Sequence, residues 1–171
     1  MKTGNIILIG AMGAGKSTVG RKLAKRLKLP FYDSDRVIEE KTGVDIATIF
    51  EYEGEEGFRA REENAIGELC RRKNFILATG GGAILSKNTR EVLSATGTVF
   101  YLKATAEVLF ERIRDDSKRP LLNTRDRKRT LADLLQQREP FYLETADHTI
   151  TTGHNNTNWI AEQIMRHLNS A

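Results

Sequence analysis

Gly10-Ala11-Met12-Gly13-Ala14-Gly15-Lys16-Ser17 satisfies the pattern G-x-x-x-x-G-K-[ST], whose chemistry is the binding of nucleoside triphosphates. Glycines let the backbone curl until several N–H groups converge on phosphate oxygens. The strand-like Ile6-Ile7-Leu8-Ile9 precedes the loop, and the helical pattern Thr18, Val19, Leu23, Leu27 follows it. A helix opening at Lys16 adds its positive dipole end. Lys16 can then reach the β- and γ-phosphates, and the Ser17 hydroxyl can serve Mg²⁺. This loop is common to GTPases, ATPases and many kinases, so it does not name the phosphoryl acceptor.

Three further features bear on the acceptor. Asp33 and Asp35 flank Ser34 at the end of a second strand-like run, where the ligand crevice of a parallel sheet lies. Their spacing allows one carboxylate near the metal and one facing the acceptor. Arg59 and Glu62 stand i, i+3 on a helical stretch, so the acid can fix the guanidinium for a carboxylate ligand. Gly80-Gly81-Gly82 closes a third strand-like run. Three glycines carry an entropic cost that makes sense where a ligand approaches bare backbone.

Together these residues resemble the shikimate kinase family over nearly the whole chain. The resemblance is carried by GAMGAGKST at 10–18, FYDSD at 31–35, GEEGFRAREE at 54–63, ATGGG at 78–82, RPLL at 119–122 and QREPFY at 137–142. It implies transfer of the ATP γ-phosphate to the 3-hydroxyl of shikimate, in aromatic amino-acid biosynthesis. Lys16, Asp35 and Arg119 would be catalytic, with Asp35 holding the acceptor hydroxyls and acting as general base. Asp33 would join Ser17 at Mg²⁺. Arg59 and Arg138 would grip the acceptor carboxylate, with Gly80, Gly81 and Gly82 adding backbone contacts. The nucleotide set would be Gly13, Ala14, Gly15, Lys16, Ser17 and Thr18, with Arg112 against adenine, Arg119 on the transferring phosphate, and Asn155 from the segment 153–156 near the base. The third strand ends Leu77-Ala78-Thr79 and lacks the Asp of a general Walker B strand, so metal binding leans on Asp33.

The elements that must position these groups alternate. Strands are expected at Asn5–Ile9, Pro30–Tyr32, Phe75–Thr79, Thr98–Leu102 and His148–Thr151. Helices are expected at Lys16–Leu27, Asp35–Lys41, Ile46–Tyr52, Glu55–Arg72, Thr89–Ala95, Ala106–Arg114, Leu131–Leu143 and Thr157–Leu168. Alternation with short connections argues for an α/β protein, a mostly parallel sheet covered on both faces. The family fold is the three-layer P-loop type of the nucleoside-monophosphate kinases, with a five-stranded parallel sheet. A single domain spans 1–171, with an acceptor-binding subdomain at about 33–63. The charge-rich, aperiodic stretch Asp115–Lys128 reads as a mobile lid. On the last helix Trp159, Ile160, Ile164 and Leu168 fall near one face, so Trp159 is expected in the core.

The chain has 171 residues, 39% hydrophobic and 29% charged, as a globular protein should be. No apolar run nears the ~20 residues that span a bilayer, and the N-terminal stretch lacks a signal peptide's pattern. One cysteine, Cys70, makes no internal disulfide, in keeping with a cytoplasmic protein. A packed thiol is expected for it. Lys plus Arg number 27 against 23 Asp plus Glu. That modest basic excess suits anionic small molecules. Arg125, Arg127, Lys128 and Arg129 have no interleaved aromatics to make a nucleic-acid platform. His148, His154 and His167 lack metal-ligand spacing. The expected partners are ATP with Mg²⁺ and a small acid, with neither nucleic acid nor membrane, acting on a monomer. Rival readings are a kinase for another hydroxy acid such as gluconate, and a non-catalytic nucleotide-binding module.

Overall fold

Every residue of β1 (Ile6–Ile9) is buried, as a strand covered on both faces must be. The computed structural model describes residues 4–154 and 156–170. These place β1 at the centre of a five-stranded sheet of order β2-β3-β1-β4-β5, all pairs parallel. The other strands are β2 (Phe31–Asp33), β3 (Ile76–Ala78), β4 (Thr98–Lys103) and β5 (His148–Thr151). Ile6 stands between Ile76 of β3 and Thr98 of β4 in register. The order reverses beside β1, so the crevice beyond its carboxyl end is where a ligand belongs.

The helices are α1 (Lys16–Leu27), α2 (Ser34–Thr42), α3 (Ile46–Leu69), α4 (Lys87–Thr96), α5 (Ala106–Ile113), α6 (Arg127–Thr145) and α7 (Thr157–Asn169). α1 packs with α7, while α4 and α6 pack together and against β4. One core runs through the sheet. A second, smaller cluster of Ile38, Ile49, Phe58 and Ala65 joins α2 to α3. α3 breaks at Gly54, where φ 69° and ψ −175° leave helical space, which glycine adopts at little steric cost. The two helices expected on either side of residue 54 therefore run on from one another with a kink. Asp45, Ser86, Thr105 and Asp126 cap α3 through α6 with their side chains, each satisfying an orphan N–H.

Two expectations needed correction. Asp126 accepts from Arg129 N, so α6 begins at Arg127 rather than Leu131 and takes over the end of the charged stretch. Before it, Pro120–Leu122 forms a 3-10 turn with Leu122 buried. Trp159 is 40% exposed. The buried face of α7 belongs to Ile160, Ala161 and Ile164, and Trp159 lies about 100° round the helix from Ile160. Cys70 is half-buried, and burial pushes its thiol above the ordinary value. No helix among the described residues is long and apolar enough to cross a membrane.

Candidate active site

The motifs gather at the carboxyl ends of the strands. Gly15 caps α1 with φ 90° and no side-chain cap, and a Cβ there would meet nothing within 4 Å. The mouth of the loop is therefore open in front of the helix N-terminus. Lys16 is buried and folded back, its Nζ donating to Gly10 O at 2.6 Å and Ala11 O at 2.8 Å. Burial lowers its pKa to about 8; Arg119 and Arg138 add to the lowering, while Asp35 and Asp33 oppose it.

Asp33 joins two helix starts. Its Oδ1 accepts from Asp35 N at 3.1 Å and Arg36 N at 3.4 Å, capping α2, and its Oδ2 accepts from the Ser17 hydroxyl on α1. Two hard oxygen donors thus stand side by side at the phosphate loop. They suit Mg²⁺, which keeps waters and substrate phosphates and asks only one or two ligands of a protein.

Asp35 lies two residues on, in the first turn of α2. Burial raises its carboxyl to about 7, with Glu62 and Asp33 adding, against the pull of Lys16 and Arg59. Glu62 is 2% exposed and also raised by burial, against Arg59. Its Oε1 accepts from Arg59 Nη1 at 2.7 Å, the i, i+3 pairing read from the spacing. Asp35 Oδ1 and Glu62 Oε2 are buried without a hydrogen-bond partner among the described residues. Glycines 80 and 82 make room for these groups: a Cβ on Gly82 would fall 2.3 Å from Arg59 Nη2. Gly80 N donates to Ser34 Oγ at 3.0 Å, which fixes the loop to α2.

Arg138 is 4% exposed and lies on the wall of a cavity of about 250 Å³ with Asp35, Arg59, Gly80, Gly81 and Gly82. Phe50, Phe58, Ile46, Pro120 and Leu121 supply its apolar side. A second cavity, about 440 Å³, is lined by Gly13, Gly15, Lys16, Ser17, Thr18, Asp33 and Arg112. The two share Met12, Asp35, Gly80, Gly81, Asp116 and Arg119. Arg119 is held by Asp116 Oδ2 at 2.9 Å. Arg112 donates to Gly13 O at 3.1 Å and Gly153 O at 2.6 Å, tying the phosphate loop to the turn after β5.

The structure brings Lys16, Ser17, Thr18, Asp33, Asp35, Arg59, the three glycines, Arg112, Arg119 and Arg138 around these two cavities. Ala14 differs: its side chain is buried and its N–H donates to Ala11 O at 3.2 Å. Asn155 lies outside the described residues. Sequence reasoning missed the apolar wall, Asp116, and Tyr142, whose hydroxyl donates to Gly81 O. For Tyr142 a signal existed, since it follows Arg138 by one helical turn within QREPFY.

A parallel P-loop sheet with a nucleotide cavity opening onto a second, carboxylate- and arginine-lined cavity defines a small-molecule kinase. A deoxyadenosine kinase from M. mycoides shares the fold at TM-score 0.60 and 15% identity, covering 96% of this chain and 99% of that one. The family model described as shikimate kinase matches residues 12–169, and the chain belongs to the shikimate kinase family. A shikimate kinase from Legionella pneumophila (strain Corby) is 52% identical over 168 residues, 98% of this chain and 96% of the relative. The structure of a shikimate kinase from Acinetobacter baumannii in complex with shikimate superposes at TM-score 0.96 with 46% identity, covering 99% and 94% of the two chains.

Proposed function

We propose that the chain transfers the γ-phosphoryl group of ATP to the 3-hydroxyl of shikimate, giving shikimate 3-phosphate and ADP. The observation that carries this is the junction of the two cavities at Asp35, Gly80, Gly81 and Arg119. A nucleotide whose phosphates lie on the loop Gly10–Ser17 presents its γ-phosphoryl there. An acid whose carboxylate meets Arg59 and Arg138 presents its hydroxyls to Asp35 from the opposite side. The named relative bound to shikimate supports the same acceptor.

Phosphoryl transfer is mostly alignment and charge neutralisation. Lys16 leaves its two carbonyl partners for phosphate oxygens, and the new anions favour its charged form. Asp35 accepts the hydrogen bond of the acceptor hydroxyl and takes its proton as the new O–P bond forms and the bond to the β-phosphate breaks. Arg119 neutralises charge on the transferring group. Ser17 and Asp33 would hold Mg²⁺, which would supply positive charge to offset that of the ATP phosphates. Gly13, Ala14, Gly15 and Thr18 contribute to the nucleotide cradle and Arg112 flanks the base. The stretch 115–128 closes as a lid and excludes water, a competing acceptor. The unit at 33–63 carries the acceptor. The reading is of a monomer acting on ATP and shikimate in the cytoplasm.

The test is ADP release from Mg²⁺-ATP with shikimate, with gluconate and quinate in parallel. Shikimate-dependent turnover is expected. ADP with another acceptor alone would overturn the acceptor assignment, and ATP binding without turnover would leave a nucleotide-binding module.

A further inference from the structure

The acceptor cavity has two walls that come from distant parts of the chain, the glycine loop after β3 and the helix α6 bearing Arg138. One side chain touches both. Tyr142 lies one turn beyond Arg138 on α6 and is fully buried. Its hydroxyl donates to Gly81 O, and Arg138, one turn earlier on the same helix, lines the cavity beside Gly81. A carbonyl can only accept, so the single phenolic hydrogen goes to Gly81. Behind the hydroxyl, the Tyr142 ring stacks on Tyr101 of β4, with centroids 4.9 Å apart and planes at 19°. Tyr101 is itself 1% exposed, so the phenol cannot swing without moving a core strand. Burial holds the phenol well above its ordinary pKa, against the pull of Arg138, so it stays a neutral donor throughout the working pH range.

We infer that Tyr142 is a positioning residue for the acceptor: it fixes α6, which carries Arg138, against the backbone of Gly81, and so sets the register of the carboxylate grip with the glycine loop. The inference rests on the acceptor reading above. Tyr142 touches neither cavity's contents, so its effect reaches the reaction through Arg138 and Gly81.

The experiment is Tyr142→Phe, which keeps the ring and its stack on Tyr101 and removes only the hydroxyl. Losing the hydrogen bond that ties α6 to Gly81 weakens acceptor binding about tenfold. The KM for shikimate should rise by about that factor while the KM for ATP changes less than about twofold. A merely structural role would lower Tm and leave the ratio of the two KM values unchanged. A second readout needs no acceptor: amide hydrogen exchange at 80–83 in the unliganded protein should speed up in Tyr142→Phe. In Arg138→Lys, adding Tyr142→Phe should cost less than it does in the parent, because both act on one grip. Unchanged exchange at 80–83 together with an unchanged KM ratio would overturn the inference. A parent enzyme silent with shikimate would instead overturn the acceptor reading, with the exchange measurement still deciding whether Tyr142 holds the loop.

Discussion

Asp35 Oδ1 and Glu62 Oε2 converge on the α-carbon of Gly80: a Cβ built there falls 2.9 Å from the first and 2.4 Å from the second. One acid comes from the start of α2 and the other from the middle of α3. The glycine's missing side chain is what lets both oxygens pack against the loop at the same point. Arg59 compensates one carboxylate through Glu62 Oε1, while the two converging oxygens are buried without a hydrogen-bond partner among the described residues.

Gly80→Ala tests that relationship. The new methyl has to displace Glu62, and Glu62 cannot move without loosening Arg59. The expected result is a rise in the acceptor KM of tenfold or more, with the ATP KM within about threefold and a Tm lower by several degrees. Steady-state kinetics with each substrate varied in turn will check it. Equal losses in both KM values would separate Gly80 from the acceptor site.

A pH prediction follows from Asp35. Its carboxyl titrates near 7 in the fold, against 3.8 for an unburied one. In the proposed transfer Asp35 takes the acceptor's proton and must be ionised, so kcat/KM for the acceptor should fall as pH drops through about 7. Lys16, lowered to about 8, should set a falling limb above that in kcat/KM for ATP. Stability runs the opposite way to the acid limb. Because the folded pKa is raised, Asp35 favours the fold fully below about pH 4 and loses that contribution as pH rises through 7. Asp35→Asn cannot ionise, so its Tm should exceed the parent's by roughly 3 °C or more at pH 8, with the gap closing by pH 4. Thermal melts across that range decide the matter. A gap that does not vary with pH would mean that Asp35 is not held neutral by burial.

The parts legible in the sequence were those written locally. The phosphate loop is a backbone conformation spelled by glycines, and Arg59 with Glu62 is a helix pair three residues apart, so both could be read before any tertiary contact was known. The sheet and its parallel pairing followed from alternation alone. The junction of Tyr142 with Gly81 joins positions 61 residues apart, and no local period encodes it. Trp159 was misplaced because a helix face is broad and one residue shifts it by about 100°. The start of α6 was hidden because Arg127, Lys128 and Arg129 give no apolar rhythm, while Asp126 beneath them supplies the cap.

The proposed lid at 115–128 can be tested at its stems. Arg127, the first residue of α6, donates to Arg114 O at 3.0 Å, Ile113 O at 3.4 Å and Asp116 O at 2.5 Å. One side chain therefore ties the end of α5 to the start of α6, where both stems of the charged stretch leave the body of the protein. Between them Leu122 is buried, while Asp115, Arg114 and Arg125 face solvent. This arrangement predicts a segment that moves about pinned ends. Amide exchange over 117–125 should be fast in the unliganded protein and slow at least several-fold when nucleotide and acceptor are both present. Arg127→Ala should release the stems, so exchange at 113–116 rises and the slowing on ligand binding shrinks, with kcat falling more than either KM. Exchange over 117–125 that ignores both ligands would remove the lid from the mechanism and leave Arg119 as a fixed wall of the cavity.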